Sequence, residues 1–452
     1  MHIIIVGCGK VGMTLTEALN REGHNITVID TNNDALRSVS NTFDVMGIVG
    51  NGASYSVQMD ADIESADLLI AVTGSDELNL LCCLIARKAG NCSTIARVRN
   101  PVYNSELDFF KKELGLSMTI NPEFAAAAEI SRILRFPSAI KIDTFAKGRI
   151  ELLKFRIPEG SILVGCSLME AMQKNHCDVL ICAVERGDEI FIPNGSFVLQ
   201  EKDVVSFVSS PQNAALFFKK LKIETHQVKS SMIIGGGKTA YYLARMLCNM
   251  GISIKIVEKD MERCRFLSEQ LPDATIINGD ATQQEVLLEE GIAGMESVVS
   301  LTDLDEENIV LSLFAKKCSH AKIITKVNRI SFDDVIKDFD LGSVIHPKFL
   351  TAEYIIQYVR AMQNSMGSNV ETMYEIIENK AEALEFLIQK DSPVIGIPLE
   401  QLNIKDNILI ACINQKNHVV TPRGKDMIQE GDTVIIVTTI TGLHDIKDIL
   451  KN

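Results

Sequence analysis

The chain has 452 residues, which at about 150 residues per domain is enough for three or four domains. Its 46% hydrophobic and 23% charged residues are ordinary globular usage, so collagenous, mucin-like and largely disordered readings are excluded. Lys and Arg number 45 against 59 Asp and Glu, a formal charge of -14 that repels phosphate backbones and anionic lipid alike, so nucleic acid is not expected as a partner.

The 11 cysteines are scattered without a C-x-x-C pair, as expected for reduced thiols in a reducing compartment. The opening Met1-His2-Ile3-Ile4-Ile5-Val6 has no basic stretch before it and its apolar run stops at Gly7, so a signal peptide is not expected. No run approaches the roughly 18 apolar residues of a membrane span. The expectation is a cytoplasmic protein with no direct membrane insertion.

Ile3 to Val6 reads as a short buried strand, Gly12 to Arg21 as a helix with Leu15, Ala18 and Leu19 on one face, and Ile26 to Ile29 as a second strand. Strands at Asp67 to Val72 and Thr94 to Val98 follow, with a helix from about Asp76 to Lys88 between them. Alternating strands and helices imply a parallel sheet with right-handed crossovers. Beyond Arg149 the character changes: short apolar runs (Leu152 to Phe155, Val179 to Val184, Ile190 to Ile192, Val204 to Val208) are separated by turns such as Pro193-Asn194-Gly195. A small β-rich module is expected there, with one or two helices such as Asn213 to Leu221.

The pattern then starts again. Gly7-Cys8-Gly9-Lys10 recurs 228 residues on as Gly235-Gly236-Gly237-Lys238, Gly23 as Gly251 and Asp30 as Glu258. From Thr73, which meets Thr302, the offset is 229, and it persists to Gly195 with Gly424 and Asp203 with Asp432. The fold class is therefore α/β: two Rossmann-like doubly wound parallel sheets, each followed by a small β-rich α+β domain, in tandem duplication. The expected domains are Rossmann-like at 1–135, β-rich at 136–222, Rossmann-like at 230–362 and β-rich at 370–452, with a linker at Lys222 to Ser230 and a hinge at Gln363 to Val370.

Gly7-Cys8-Gly9-Lys10-Val11-Gly12 follows a strand, opens a helix and has Asp30 beyond it, the dinucleotide-binding arrangement. Gly7 permits the tight turn, Gly9 lets a pyrophosphate approach the backbone, and Gly12 lets the helix sit close to the strand. The helix amino terminus offers N–H donors to phosphate. Asp30 can accept from a ribose diol and repels a 2′-phosphate, which favours NAD(H) over NADP. In the second unit Ala240 replaces the third glycine and Glu258 the aspartate, so that site is expected either to match the first or to be weaker. A phosphate-loop reading of Gly237-Lys238-Thr239 fails because its first glycine would fall on Met232.

Thr73 and Gly74 stand at the carboxyl edge of a strand, where they either line the cofactor or, for Thr73, cap the next helix. Asn51-Gly52 and Gly279-Asp280 either edge an adenine pocket or are ordinary turns. Arg97, with Lys326 in its place in the second unit, needs an anionic partner if buried, either a cofactor phosphate or a carboxylate across an interface. The eight histidines show no metal spacing, and no G-x-S-x-G or H-E-x-x-H motif occurs. No catalytic or metal-ligating residue is expected. The ligand looks like a signal being read; the alternative is an NAD-dependent oxidoreductase acting on a small metabolite.

Ile-Ile-Val-Gly-Cys-Gly-Lys-Val-Gly at 4–12, Val-Ile-Asp at 28–30, Val-Gly-Asn-Gly-Ala-Ser at 49–54, Ala-Val-Thr-Gly-Ser-Asp-Glu at 71–77 and Ile-Ala-Arg-Val-Arg at 95–99 carry a family resemblance. Over essentially its whole length the chain resembles the TrkA family, peripheral subunits of Trk potassium uptake systems built of two tandem regulator-of-potassium-conductance units. The resemblance implies NAD(H), or ATP or ADP in some members, at Gly7, Cys8, Gly9, Lys10, Val11, Asp30, Thr73, Gly74 and Arg97. It implies the same at Gly235, Gly236, Gly237, Lys238, Thr239 and Glu258, with Ala240 and Lys326 as departures. It also implies a homo-oligomer, dimer or tetramer ring, held on the inner face of the membrane by an integral potassium channel subunit that it regulates without being an enzyme.

Overall fold

A computed structural model of the chain describes residues 1–104, 106–136, 139–145, 150–175, 179–187, 189–221, 228–328, 339, 341–364, 370–377, 380–415, 418–440, 443 and 445–451. Two compact units are present, Met1–Ser131 with Lys229–Ile356 and Arg132–Val228 with Gln357–Asn452. Like therefore associates with like: the two parallel sheets share one unit and the two antiparallel sheets the other.

The first sheet of the first unit holds β1 (His2–Val6), β2 (Asn25–Asp30), β3 (Met46–Val49), β4 (Leu68–Ala71), β5 (Ser93–Arg97) and β6 (Met118–Ile120), all parallel, in the order β3-β2-β1-β4-β5-β6. Ile3, Ile4 and Ile5 are fully buried because helices cover both faces of the central strand. The helix Lys10–Arg21 buries Val11, Leu15 and Leu19, one turn apart, against that strand. The chain runs from β1 outward to β3 and then crosses back to β4. The order thus reverses between β1 and β4, which opens a crevice at the carboxyl ends of the strands.

In the second unit β7 (Ala139–Phe145), β8 (Ile150–Arg156), β9 (Leu180–Arg186), β10 (Glu189–Phe191) and β11 (Val204–Ser209) form an antiparallel sheet ordered β10-β9-β11-β8-β7. The helix Pro211–Lys220, capped by Ser210, closes it by packing Phe217 and Phe218 edge-on to Phe155.

The second parallel sheet repeats the first: β12 (Ser230–Ile234), β13 (Ser253–Glu258), β14 (Ala274–Asn278), β15 (Ser297–Ser300), β16 (Lys322–Lys326) and β17 (Ser343–Ile345), ordered β14-β13-β12-β15-β16-β17. The last sheet is β18 (Val370–Ile377), β19 (Ala381–Leu387), β20 (Ile408–Gln415), β21 (His418–Val420) and β22 (Thr433–Thr438), ordered β18-β19-β22-β20-β21. One apolar cluster joins the antiparallel sheets, with Leu152, Cys182 and Val208 of one against Ala383, Cys412 and Ile435 of the other. Residues 222–227 of the expected linker and 365–369 of the expected hinge lie outside the described residues; Ser230 begins β12 and Val370 begins β18.

Tyr242, on the helix Lys238–Asn249, ties the two parallel sheets together. Its hydroxyl donates to the Arg99 carbonyl at 3.2 Å and accepts from Asn121 Nδ2 at 3.0 Å, and its ring meets Phe124 edge-on at 5.5 Å. Burial, above all, pushes this phenol up to about 12. Tyr242→Phe keeps the packing but leaves the Arg99 carbonyl and the Asn121 amide without this partner. A loss of about 1–3 kcal/mol is expected in chemical denaturation.

Candidate functional site

At each topological reversal a cavity opens over the glycine turn. The first has a volume of about 440 Å³ and is walled by Gly7, Gly9, Lys10 and Val11 from the turn, Asp30 from the end of β2, Asn51 beyond β3, Thr73 and Gly74 beyond β4, and Arg97 from β5. All of these are residues that the sequence singles out. Cys8 and Gly12 are not in the wall and support it from behind.

Backbone geometry fixes the turn. Gly7 has φ +107, and a Cβ there would stand 3.0 Å from the Thr73 nitrogen; Gly235 repeats this with φ +96. A Cβ on Gly12 would come within 1.9 Å of the Gly7 carbonyl oxygen, so the helix rests directly on the turn. Around Gly9, by contrast, a Cβ would meet nothing within 4 Å. That open space lets a ligand reach the main chain at the helix amino terminus.

The carboxylates ending β2 and β13 hold both turns in the same way. Asp30 accepts the Cys8 N–H at 2.5 Å and the Asn32 N–H at 2.8 Å, while Glu258 accepts the Gly236 N–H at 2.6 Å and the Asp260 N–H at 2.8 Å. Each carboxylate is only half-buried and keeps acceptor capacity toward the cavity. Burial, with the Asp30 charge second, raises the Cys8 thiol above its ordinary value.

Fully buried Asn79 organises the strand edge. Its Oδ1 accepts from the Thr73 nitrogen at 2.8 Å and the Thr73 hydroxyl at 2.7 Å, and its Nδ2 donates to the Arg97 carbonyl at 2.9 Å. The helix Asp76–Ala89 is capped by Ser75, which accepts the Leu78 N–H. Thr73 thus stands in the wall of the cavity and is not the cap. Asn308 repeats the Asn79 arrangement with Thr302 and Lys326. Sequence reading matches the two asparagines at the 229-residue offset but assigns them no role, because a buried Asn within a helix has no local signature.

Arg97 donates through Nη2 to the Thr73 carbonyl at 2.8 Å, and its buried Nε has no partner. Burial, followed by the Arg99 charge, depresses this guanidinium. Arg97 lines the cavity beside the open main chain at Gly9 and the Asp30 carboxylate, so the residues present fit a ligand carrying a diphosphate and a ribose diol.

The second cavity has a volume of about 340 Å³. Gly235, Gly236, Gly237, Glu258 and Asp280 line it as the repeat implies, joined by Lys259, Arg263, Asp303 and Glu307. Lys238 and Thr239 are not in its wall. Lys326 is turned to the Leu301 carbonyl at 3.3 Å and to Asp303 at 3.8 Å. Arg263, whose Nε donates to the Gly236 carbonyl at 2.5 Å, has no forerunner in the first half, where Ala35 takes its place. The repeat therefore gave no hint of it.

The TrkA-N domain matches residues 3–122 and 231–347, and the TrkA-C domain residues 152–222 and 383–451. The chain belongs to the TrkA family. The Trk system potassium uptake protein TrkA homolog 1 of Methanosarcina mazei is 30% identical over 463 residues covering both chains completely. The Trk system potassium uptake protein TrkA of Haemophilus influenzae is 30% identical over 96% of this chain and 95% of its own. Among solved structures, the GsuK RCK domain covers 97% of this chain and 92% of its own with TM-score 0.64 at 18% identity. The GsuK channel bound to NAD covers 97% of this chain and 76% of its own with TM-score 0.63 at 18% identity. These two share the fold. Among the described residues no helix is long and apolar enough to cross a membrane.

Two outcomes follow for this TrkA-family chain. Gly9→Ala should melt within a few degrees of wild type yet lose most nucleotide affinity in calorimetric titration. Gly12→Ala should lose about 1–3 kcal/mol of stability as the helix is pushed off the turn. Lys348, whose Nζ donates to the Asn328 carbonyl at 3.0 Å, is lowered to about 8 by burial and then by the charge of Lys10. Above that value the folded chain releases this proton while the unfolded chain still holds it, so stability rises with pH toward the ordinary lysine range. The gain in melting temperature from pH 7.5 to 9.5 should be smaller in Lys348→Met than in wild type.

Proposed function

We propose that this chain is the nucleotide-reading regulatory subunit of a Trk-type potassium uptake system. An adenine nucleotide, NAD(H) first and ATP or ADP second, occupies the first cavity, and the ring formed by several copies passes that state to an integral membrane potassium channel subunit. The observation that carries the reading is the first cavity itself: a glycine turn open at Gly9, a carboxylate at Asp30 and a guanidinium at Arg97 around one space. Family membership supplies the partner. The chain works on the cytoplasmic side, held to the membrane by that partner.

In this reading the ligand is not turned over. Bound nucleotide stabilises whichever arrangement of the first unit holds it more tightly, and only that difference in affinity moves the channel. Asp30 and Arg97 act by binding and orienting the ligand, and the Asn79 network keeps Thr73 and Arg97 in place when it leaves.

Potassium flux into vesicles containing the chain and its membrane partner tests this. Addition of NADH should change flux in the wild type, and Asp30→Ala should reduce both NADH affinity, by at least tenfold, and the flux response. Unchanged flux control after binding is lost would falsify the coupling. Sustained oxidation of NADH with a small metabolite would favour an oxidoreductase instead.

A further inference from the structure

The rim of the first cavity is held by two guanidiniums spaced two residues apart, with fully buried Val98 between them. Arg97 Nη2 donates to the Thr73 carbonyl at 2.8 Å and Arg99 Nη2 to the Gly74 carbonyl at 2.6 Å. Thr73 and Gly74 both stand in the cavity wall. Thr73 has Asn79 as a second anchor, whereas Gly74 is exposed and a Cβ there would meet nothing within 4 Å. No side chain of its own packs the Gly74 peptide in place, so the Arg99 bond sets the direction of its carbonyl.

Arg99 is in turn placed from two sides. Its N–H and that of Asn100 donate to Asp76 Oδ2 at 2.9 and 2.8 Å, and its guanidinium lies 3.7 Å from Asp76 and 3.9 Å from Glu123. Its carbonyl accepts the hydroxyl of Tyr242, from the second half, at 3.2 Å. Tyr242 is 4% exposed and lines neither cavity. Three groups thus stand in series across the joint between the Rossmann halves: the phenol, Arg99 and the Gly74 peptide at the rim.

At the place of Tyr242 the first half has Thr14, whose hydroxyl donates to the Lys10 carbonyl of its own helix at 3.0 Å. At the place of Arg99 the second half has Asn328, whose Nδ2 donates to Asp305 at 3.0 Å. Among the described residues the second cavity therefore has no matching link.

We propose that Arg99 and Tyr242 are positioning residues for the nucleotide in the first cavity: Arg99 sets the Gly74 rim, Tyr242 sets Arg99, and affinity in the first half thereby depends on contact with the second. This rests on the reading of the first cavity given above and names a route by which its ligand acts on the chain. By linkage, a nucleotide that binds better with the rim in place tightens the Tyr242 contact by the same factor.

Calorimetric titration of the full chain with NADH tests this in Arg99→Met, Tyr242→Phe and the double variant. The event followed is the one that Asp30→Ala weakens, and melting curves confirm that each variant is folded. Each single variant should weaken NADH by about fivefold, and the double variant should bind within about twofold of Arg99→Met, because both substitutions act through one bond. Tyr242→Phe with a lowered melting temperature and wild-type NADH affinity would show a packing role alone and overturn the proposal. So would losses in the two single variants that add in the double variant. No NADH binding to the wild type would instead overturn the reading of the first cavity, and this inference with it.

Discussion

In each Rossmann half the structure depends on a carboxylate that closes on the backbone of the glycine turn. Asp30 and Glu258 each hold an N–H inside the turn and a second N–H two residues beyond themselves. These charge-assisted bonds are among the stronger kind available to a backbone N–H. They tie the end of one strand to the turn after another, fix the direction of the following helix, and set the distance from helix amino terminus to the carboxylate. A single carboxylate thus shapes the turn and lines the cavity. Its loss would both remove an acceptor from the cavity and loosen the turn.

The coupling of turn and carboxylate is the same in both halves. The turn, the carboxylate and the buried asparagine at positions 79 and 308 recur with nearly the same bond lengths. Outside this frame the two cavity walls differ, as at Gly74 against Asp303 and Leu78 against Glu307. Asp303 stands where Gly74 does, a position at which a Cβ would meet nothing within 4 Å, and Glu307 stands where Leu78 packs against the apolar core of the first half. Duplication followed by change at the rim gives a second cavity lined by different charges.

The sequence made the duplication, the glycine turns and the carboxylates legible because each depends on local rules: a turn that needs φ > 0, an acid at a strand end, an apolar run of strand length. The strands that the pattern places in the first half appear within a residue or two of it, as with Ile26 to Ile29 inside Asn25–Asp30, while β3, β6 and β7 are passed over. What local pattern could not show was the association of like halves. The contact that joins them, Tyr242 with Asn121 and Arg99, spans more than a hundred residues and uses side chains ordinary in themselves. Arg263 escaped for a related reason: comparison of the two halves finds what they share, and Ala35 gives no warning of a guanidinium. Thr73 offered two local roles, and only the capping bond from Ser75 decides between them.

The account stands most directly on where a dinucleotide sits. A crystal structure of the full chain grown with NADH should place the diphosphate against the main chain at Gly7 to Gly9, within reach of Arg97, and the adenosine ribose diol on Asp30. Density for the dinucleotide away from this cavity, or none in it at saturating NADH, would contradict the central claim.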